Sequence, residues 1–426
     1  MGKMIDATYN LTGMNDLDPL LERIGSARCV MLGEATHGTH EYYTWRTAIS
    51  KRLIAEKGFN FIAVEGDWPD CYRLNRWIKG YDDQDKASYQ LLRDFDRWPT
   101  WMWANWEVDV LLNWLKTFNT GQPANKRAGF YGLDVYSLWE SMEVLVNYLY
   151  EHDPKAADLA VEALRCFEPF EEDPQRYASA TWRQGTSCET EVVNLMAEIR
   201  KKTTIYDHDP EASLNTNQNA HIAVNAEAYY RRMMHFDGQT WNLRDTHMME
   251  TLQRLLDFHG PHSKAIVWAH NTHIGDARYT SMRSQGLFNI GQLSRSKLGE
   301  HDTVLVGFGS YRGSVVGGSA WGSPMTVMPV PDAEPDSLEA ELHRRFRADQ
   351  LLVFGQDRGS EFNRTWPHRA IGVVYDPAQE KPGNYVPTVP GRRYDAFLYI
   401  DETTGVHPMH IHPDGHLVPE TYPFNF

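Results

Sequence analysis

Residues 29–65 read CVMLGEATHGTHEYYTWRTAISKRLIAEKGFNFIAVE, and this stretch decides the fold. Cys29 to Leu32 is a short apolar run of the kind buried on both faces of a sheet, and it stops at Gly33-Glu34. From Glu41 to Lys57 the large residues Tyr42, Trp45, Ile49 and Leu53 recur at helical spacing, and Gly58 follows as a stop. Phe59 to Val64 is a second apolar run, closed by Glu65. Strand, helix, strand in this order is the crossover unit of a parallel sheet.

Outward from this unit the pattern returns at Gly129 to Leu133 before Asp134, and at Lys264 to Ala269 before His270. Further runs lie at Thr303 to Phe308, Leu351 to Phe354, Ala370 to Tyr375 and Ala396 to Ile400. The expected class is α/β, with an open, mostly parallel central sheet flanked by helices and a helical insertion. Between about Val135 and His262 the apolar period is helical, including Ala220 to Met234 and Asn242 to Phe258. Residues 136–262 are therefore expected as a helical insertion or cap, and residues 1–135 and 263–426 as the catalytic core. Ser323 to Pro335 is Pro-rich and reads as a surface loop.

The formal charge of −15 argues against a nucleic-acid partner, because phosphate neutralisation needs a basic surface. A chain that is 42% hydrophobic and 12% aromatic is too apolar for disorder. No run approaches the roughly 18 apolar residues of a membrane span, so no membrane association is expected, and no export signal is visible. Cys29, Cys71, Cys166 and Cys188 are far apart and form no CxxC, which fits reduced thiols in a cytoplasmic protein.

Ligands of open α/β sheets sit beyond the carboxyl ends of the strands, and four such ends here carry Glu34, Glu65, Asp134 and His270. One polar residue at a strand end is ordinarily a cap or a turn former. Four ionisable ones in one sheet favour a site. The turn Gly33-Glu34-Ala35-Thr36-His37-Gly38 presents Glu34 and His37 together, Arg46 follows on the helix, and His270 and His273 lie three residues apart. A water attacking an ester needs a base, for which an imidazole is suited and His37 is the candidate, and an acid to position it, Glu34 or Glu65. The carbonyl oxygen then needs donors, for which Arg46, His270 and His273 are candidates.

Competing chemistries lack their signatures. No G-x-S-x-G elbow or Walker A occurs, and His40-Glu41-Tyr42-Tyr43-Thr44 misses H-E-x-x-H by its last residue. Gly307 to Gly313 resembles a dinucleotide fingerprint with one residue too many and is read as a glycine loop on a site rim. Two alternatives stand: a metal-dependent hydrolase using His37, His270 and His273 with Glu34, Glu65 or Asp134, and a protein that binds a metal or small molecule without chemistry. The C-terminal His407, His410, His412 and His416 read as a polar surface tail, and the pair Arg244-Asp245 as a structural salt bridge.

The motifs GEATHGTHEYYTWR, FIAVEGDWPDCYRLN, WPTWMWANWEV, FYGLDVYS, NAEAYYRRM, WNLRDTHMMETL, VWAHNTHIGDAR, VGFGSYRGSV and YDAFLYIDETTGVHP together resemble the erythromycin esterase family over roughly residues 20–405. The resemblance implies an α/β hydrolase unrelated to the serine-nucleophile fold. It also implies that macrolide lactones are split by histidine-activated water, without a covalent intermediate. By position the base is His37, its carboxylate partners Glu34 and Glu65, and the supporting groups Arg46 and His270. The expected substrate side comprises His273, Asp134, Trp103, Asn105 and Asp67. A small-molecule substrate is expected, a bulky ester or lactone, with no cofactor and no metal. Trp98, Trp101, Trp103 and Trp106 read as either core or pocket lining, and the chain has Ala104 where the family pattern tends to arginine, with Asn105 and Glu107 kept.

Overall fold

Cys29 to Leu32 form a strand in which every residue is buried, as the apolar run requires. The helix His40–Lys57 follows, with Tyr42 to Ser50 buried without interruption, so this helix lies inside the molecule rather than on it. Gly58 ends it in the left-handed region, φ 69°, with its N–H on the Leu53 carbonyl. The second strand is Phe61–Val64. The computed structural model describes residues 7–81, 85–200, 211–235, 238–355 and 360–410.

The strands are β1 Ala7–Asn10, β2 Cys29–Leu32, β3 Phe61–Val64, β4 Gly129–Gly132, β5 Ala265–Trp268, β6 Thr303–Gly318, β7 Met325–Val330, β8 Gln350–Val353, β9 Trp366–Arg369, β10 Tyr385–Thr388 and β11 Ala396–Thr403. Among the described residues nine of these form one sheet in the order β1-β8-β11-β6-β2-β5-β3-β4, with β7 on β6, and β9 and β10 form a separate ribbon. The centre is parallel: Leu32 of β2 lies opposite Trp268 of β5 and Val306 of β6, and β11 runs parallel to β6. Antiparallel pairs complete it at β8 with β1 and β11, and at β7 with β6. The expected open, mostly parallel α/β sheet flanked by helices is what the chain forms.

The chain divides into two compact units, residues 1–63, 76–129 and 261–426 in one and residues 64–75 and 130–260 in the other. In the second, most of the described residues between 138 and 259 lie in helices, among them Leu138–His152, Ala212–Arg232 and Gln239–His259. Tyr177 ties this helical layer together, donating to Glu227 at 2.6 Å and accepting the Cys188 N–H at 3.0 Å.

Four local expectations are corrected. Ala370 to Tyr375 is not a strand: the chain pairs just upstream, as β9 with β10, and the Ile371 N–H is taken by the Ala35 carbonyl at 2.7 Å. Ser323 to Pro335 is not all loop, because β7 pairs along β6 through Val316 and Val327, and its Pro329 stands opposite Ser314. Gly307 to Gly313 is the middle of β6 rather than a rim loop. A Cβ on Gly307 or Gly309 would come within 2.8 Å of the Tyr394 or Phe397 rings, so these glycines make room for aromatic side chains on the sheet. Cys166 and Cys188 are joined in a disulfide, against the reading of four reduced thiols, while Cys29 and Cys71 are buried thiols. No helix among the described residues is long and apolar enough to cross a membrane.

Candidate active site

Because Leu32 and Trp268 are in register, the residues two positions past each, Glu34 and His270, leave the sheet side by side. Asn271 fixes this arrangement. Its N–H donates to the Glu34 carbonyl at 2.8 Å, its side-chain amide donates to the Phe308 carbonyl at 2.6 Å, and its own carbonyl accepts from Arg393 at 2.7 Å. Nothing about Asn271 singled it out in the sequence beyond its place between His270 and His273.

The turn after β2 is pressed against its neighbours, which explains its two glycines. A Cβ on Gly38 would lie 1.9 Å from the Val316 carbonyl oxygen, and one on Gly33 would lie 2.1 Å from Asn271 Oδ1. Between them, Glu34 Oε1 stands 3.0 Å from His37 Nδ1, and Glu34 Oε2 stands 2.8 Å from Arg46 Nη2. A carboxylate only accepts, so the His37 proton is assigned to Nδ1 and the lone pair to Nε2. The imidazole of His270 lies beside it, ring centroids 5.0 Å apart. Here the order is reversed: His270 caps the short helix that follows it, its Nδ1 accepting from the Thr272 N–H at 3.2 Å and lying 2.8 Å from the Thr272 hydroxyl. Its proton is therefore assigned to Nε2. Two adjacent imidazoles thus present a basic Nε2 on His37 and an N–H on His270.

Arg46, expected among the oxyanion donors, is fully buried. Its guanidinium lies 4.4 Å from the Tyr43 ring and 4.7 Å from the Trp268 ring, and it compensates the buried charge of Glu34. The Tyr43 hydroxyl donates to the Met102 carbonyl at 2.7 Å and lies 3.1 Å from the His37 carbonyl, and its ring meets Trp103 edge-on at 6.4 Å. Trp101, Trp103 and Trp106 are buried core. Asn105 caps the helix Trp106–Asn119, accepting the Val108 N–H and donating to the Trp101 carbonyl, each at 2.8 Å. His273 is buried on the short helix after His270. His407 is not tail: its Nδ1 lies 2.7 Å from Glu107. His410 is half-buried, and His412 and His416 lie outside the described residues.

In the second unit Glu65 and Asp134 are brought together by Arg244. Backbone bonds from the Leu133 N–H to Val64 and from the Asp134 N–H to Gly66 set the two side by side. Arg244 donates to Asp134 at 2.9 and 2.6 Å and to Glu65 at 2.8 Å, and lies over the Tyr136 ring. The two buried carboxylates hold its guanidinium charged, although burial opposes this. The guanidinium read as the partner of Asp245 thus bridges two strand-end acids, a contact across more than a hundred residues that local sequence does not reveal. Asp67 follows in the same turn as Glu65, and its carbonyl accepts the Cys71 N–H. Burial pushes the Cys29 thiol up to about 12 and raises that of Cys71, so neither is a ready nucleophile.

The family model described as erythromycin esterase matches residues 54–403. The chain is 22% identical over 332 residues to the erythromycin esterase type II of Escherichia coli, covering 70% of this chain and 73% of that protein. Its fold is similar to that of a solved succinoglycan biosynthesis protein, at 21% identity and a TM-score of 0.77 over 94% of this chain and 95% of the other. It is similar also to a mutant of the erythromycin esterase EreC in its open conformation, at 17% identity and a TM-score of 0.67 over 94% and 98% of the two chains.

Proposed function

The chain belongs to the erythromycin esterase family, and on that footing we propose that it is a hydrolase that cleaves carboxylic esters or lactones with water activated by His37. The observation that carries the reading is the opposed bonding of two neighbouring imidazoles: Nδ1 of His37 lies against the Glu34 carboxylate and Nδ1 of His270 against the Thr272 N–H, contacts that assign the proton of His37 to Nδ1 and the lone pair of His270 to Nδ1. Nε2 of His37 takes a proton from water as the oxygen attacks the carbonyl carbon. The N–H of His270 meets the oxygen on which negative charge develops, either the carbonyl oxygen or the departing alkoxide. The proton held by His37 then returns to the leaving alcohol. No covalent intermediate is involved, and no metal or cofactor is called on.

Arg46 keeps Glu34 in place and so fixes the tautomer of His37. Bulky esters and lactones are the proposed substrates, macrolide lactones foremost, because the relative that matches over 73% of its length is named an erythromycin esterase. A protein that only bound its ligand would have no use for an imidazole oriented by a buried carboxylate and arginine. Comparing kcat/KM across a matched carboxylic ester, amide and phosphate ester series, with a macrolide lactone included, tests the reading. A clear preference for esters supports it, and a preference for phosphate or amide overturns it.

A further inference from the structure

The segment after β11 is stitched to the starts of two helices. The His40 N–H donates to the Thr404 carbonyl at 2.9 Å and the Val406 N–H to the Gly38 carbonyl at 2.9 Å. On the other side the Trp106 N–H donates to the His407 carbonyl at 3.1 Å and the Met409 N–H to the Ala104 carbonyl at 2.8 Å. This backbone lacing brings together three side chains that are remote in sequence. His40 opens the helix His40–Lys57, Glu107 is second in the helix Trp106–Asn119, and His407 lies on the lacing segment itself. His40 Nδ1 and His407 Nδ1 each stand 2.7 Å from the same oxygen, Glu107 Oε1. The two rings meet nearly at right angles, 86°, with centroids 5.2 Å apart, and the three donor atoms all lie within 4.8 Å of one another.

We propose that His40, Glu107 and His407 bind one divalent transition-metal ion of the zinc class. Two imidazole nitrogens and one carboxylate oxygen are a donor set that borderline ions take, whereas calcium and magnesium require oxygen ligands. The hydrogen bonding points the same way. A carboxylate has two oxygens and about four lone-pair sites, so two imidazoles that merely donate to it would be expected to share them out. Here both Nδ1 atoms crowd onto Oε1, while the His407 backbone nitrogen lies between the two oxygens, 3.2 Å from Oε1 and 3.3 Å from Oε2. With an ion between them each imidazole turns its Nδ1 lone pair inward and carries its proton on Nε2. Tetrahedral bonds of about 2.0 Å then place the donors roughly 3.3 Å apart, which opens each imidazole–carboxylate contact by about half an ångström. The adjustment falls to the histidines, whose side chains are 14% and 30% exposed while Glu107 is fully buried. Their partial exposure also leaves a way in from solvent. The ion would tie the segment after β11 to the helix that begins three residues beyond His37, and the assignment does not rest on the esterase reading.

Dialysed full-length protein titrated with Zn²⁺ alone by calorimetry tests this, beside His40→Ala, Glu107→Gln and His407→Ala, with His270→Ala as the comparison at the other histidine pair. The expected result is one ion per chain in the wild type and in His270→Ala, with affinity at least about tenfold weaker in each of the other three. Zn²⁺ should also raise the thermal midpoint of the wild type and not that of His407→Ala. If Glu107→Gln fails to fold, His407→Ala, at a partly exposed position, decides the matter. Absence of binding at tens of micromolar Zn²⁺, binding unchanged by His407→Ala, or binding lost in His270→Ala alone would each overturn the proposal.

Discussion

Replacing Glu34 by Gln alters one atom of a buried carboxylate and is expected to reverse the tautomer of His37. Arg46 only donates, so the amide oxygen of the glutamine must face Arg46 Nη2, the atom that lies 2.8 Å from Glu34 Oε2. The amide NH₂ then points at His37 Nδ1, now 3.0 Å from Oε1, and that nitrogen can only accept. The proton moves to Nε2 and the lone pair that takes the proton of water is gone. Loss of a general base costs on the order of 10²- to 10⁴-fold in kcat/KM, which is about 2.7 to 5.5 kcal/mol of barrier. Stability falls as well, because Arg46 is fully buried and loses its counter-charge; removing one partner of such a pair costs about 3–5 kcal/mol. The assay is kcat/KM on a chromogenic ester and a macrolide lactone at a temperature where near-ultraviolet dichroism shows the variant folded. A folded Glu34→Gln enzyme with wild-type kcat/KM would refute the tautomer argument, whatever its melting temperature.

Gly38→Ala should cost about 1–3 kcal/mol of stability and most of the hydrolytic rate, since its Cβ would fall 1.9 Å from the Val316 carbonyl oxygen beside His37; urea denaturation with a parallel rate assay checks both. Arg244→Met leaves Glu65 and Asp134 buried without their shared cation and should destabilise the protein by about 3–5 kcal/mol in urea, an effect that a mere surface pair would not produce. Burial, reinforced by the Arg254 guanidinium and opposed by Asp134, pushes His247 down to about 3, while its Nδ1 accepts from Asn225. Between that value and 6.5 the unfolded chain binds a proton that the folded one does not, so stability rises with pH across this window and is lost as pH falls through it. His247→Gln should therefore lose less stability than the wild type between pH 7 and pH 4, and equal losses in thermal melts would count against the shift.

The β2–helix–β3 unit could be read because its signals are local: an apolar run, a helical period from Tyr42 to Leu53, and a glycine stop. Glu34 and His37 could be read for the same reason, being three residues apart in one turn. Ala370 to Tyr375 misled because β-branched residues favour a strand without specifying a partner, and its Ile371 N–H is used on Ala35 instead. The prolines of 323–335 concealed β7, which tolerates Pro329 as a peripheral strand. The burial of Arg46 between Tyr43 and Trp268 depends on a strand more than two hundred residues away. His40, Glu107 and His407 are brought together by backbone lacing after β11, which no spacing rule encodes. Within the candidate site, the closeness of Glu34 and His37 was legible, whereas the placing of His270 beside them, by Asn271 and Thr272, required the sheet register.

The most direct test of the account compares kcat/KM of wild type and His37→Ala on a panel of bulky esters and lactones, with the fold of each protein verified in the same buffer. The account expects a loss on the order of 10²- to 10⁴-fold on every substrate that the wild type cleaves. A folded His37→Ala protein that hydrolyses these esters at near wild-type rates would contradict it.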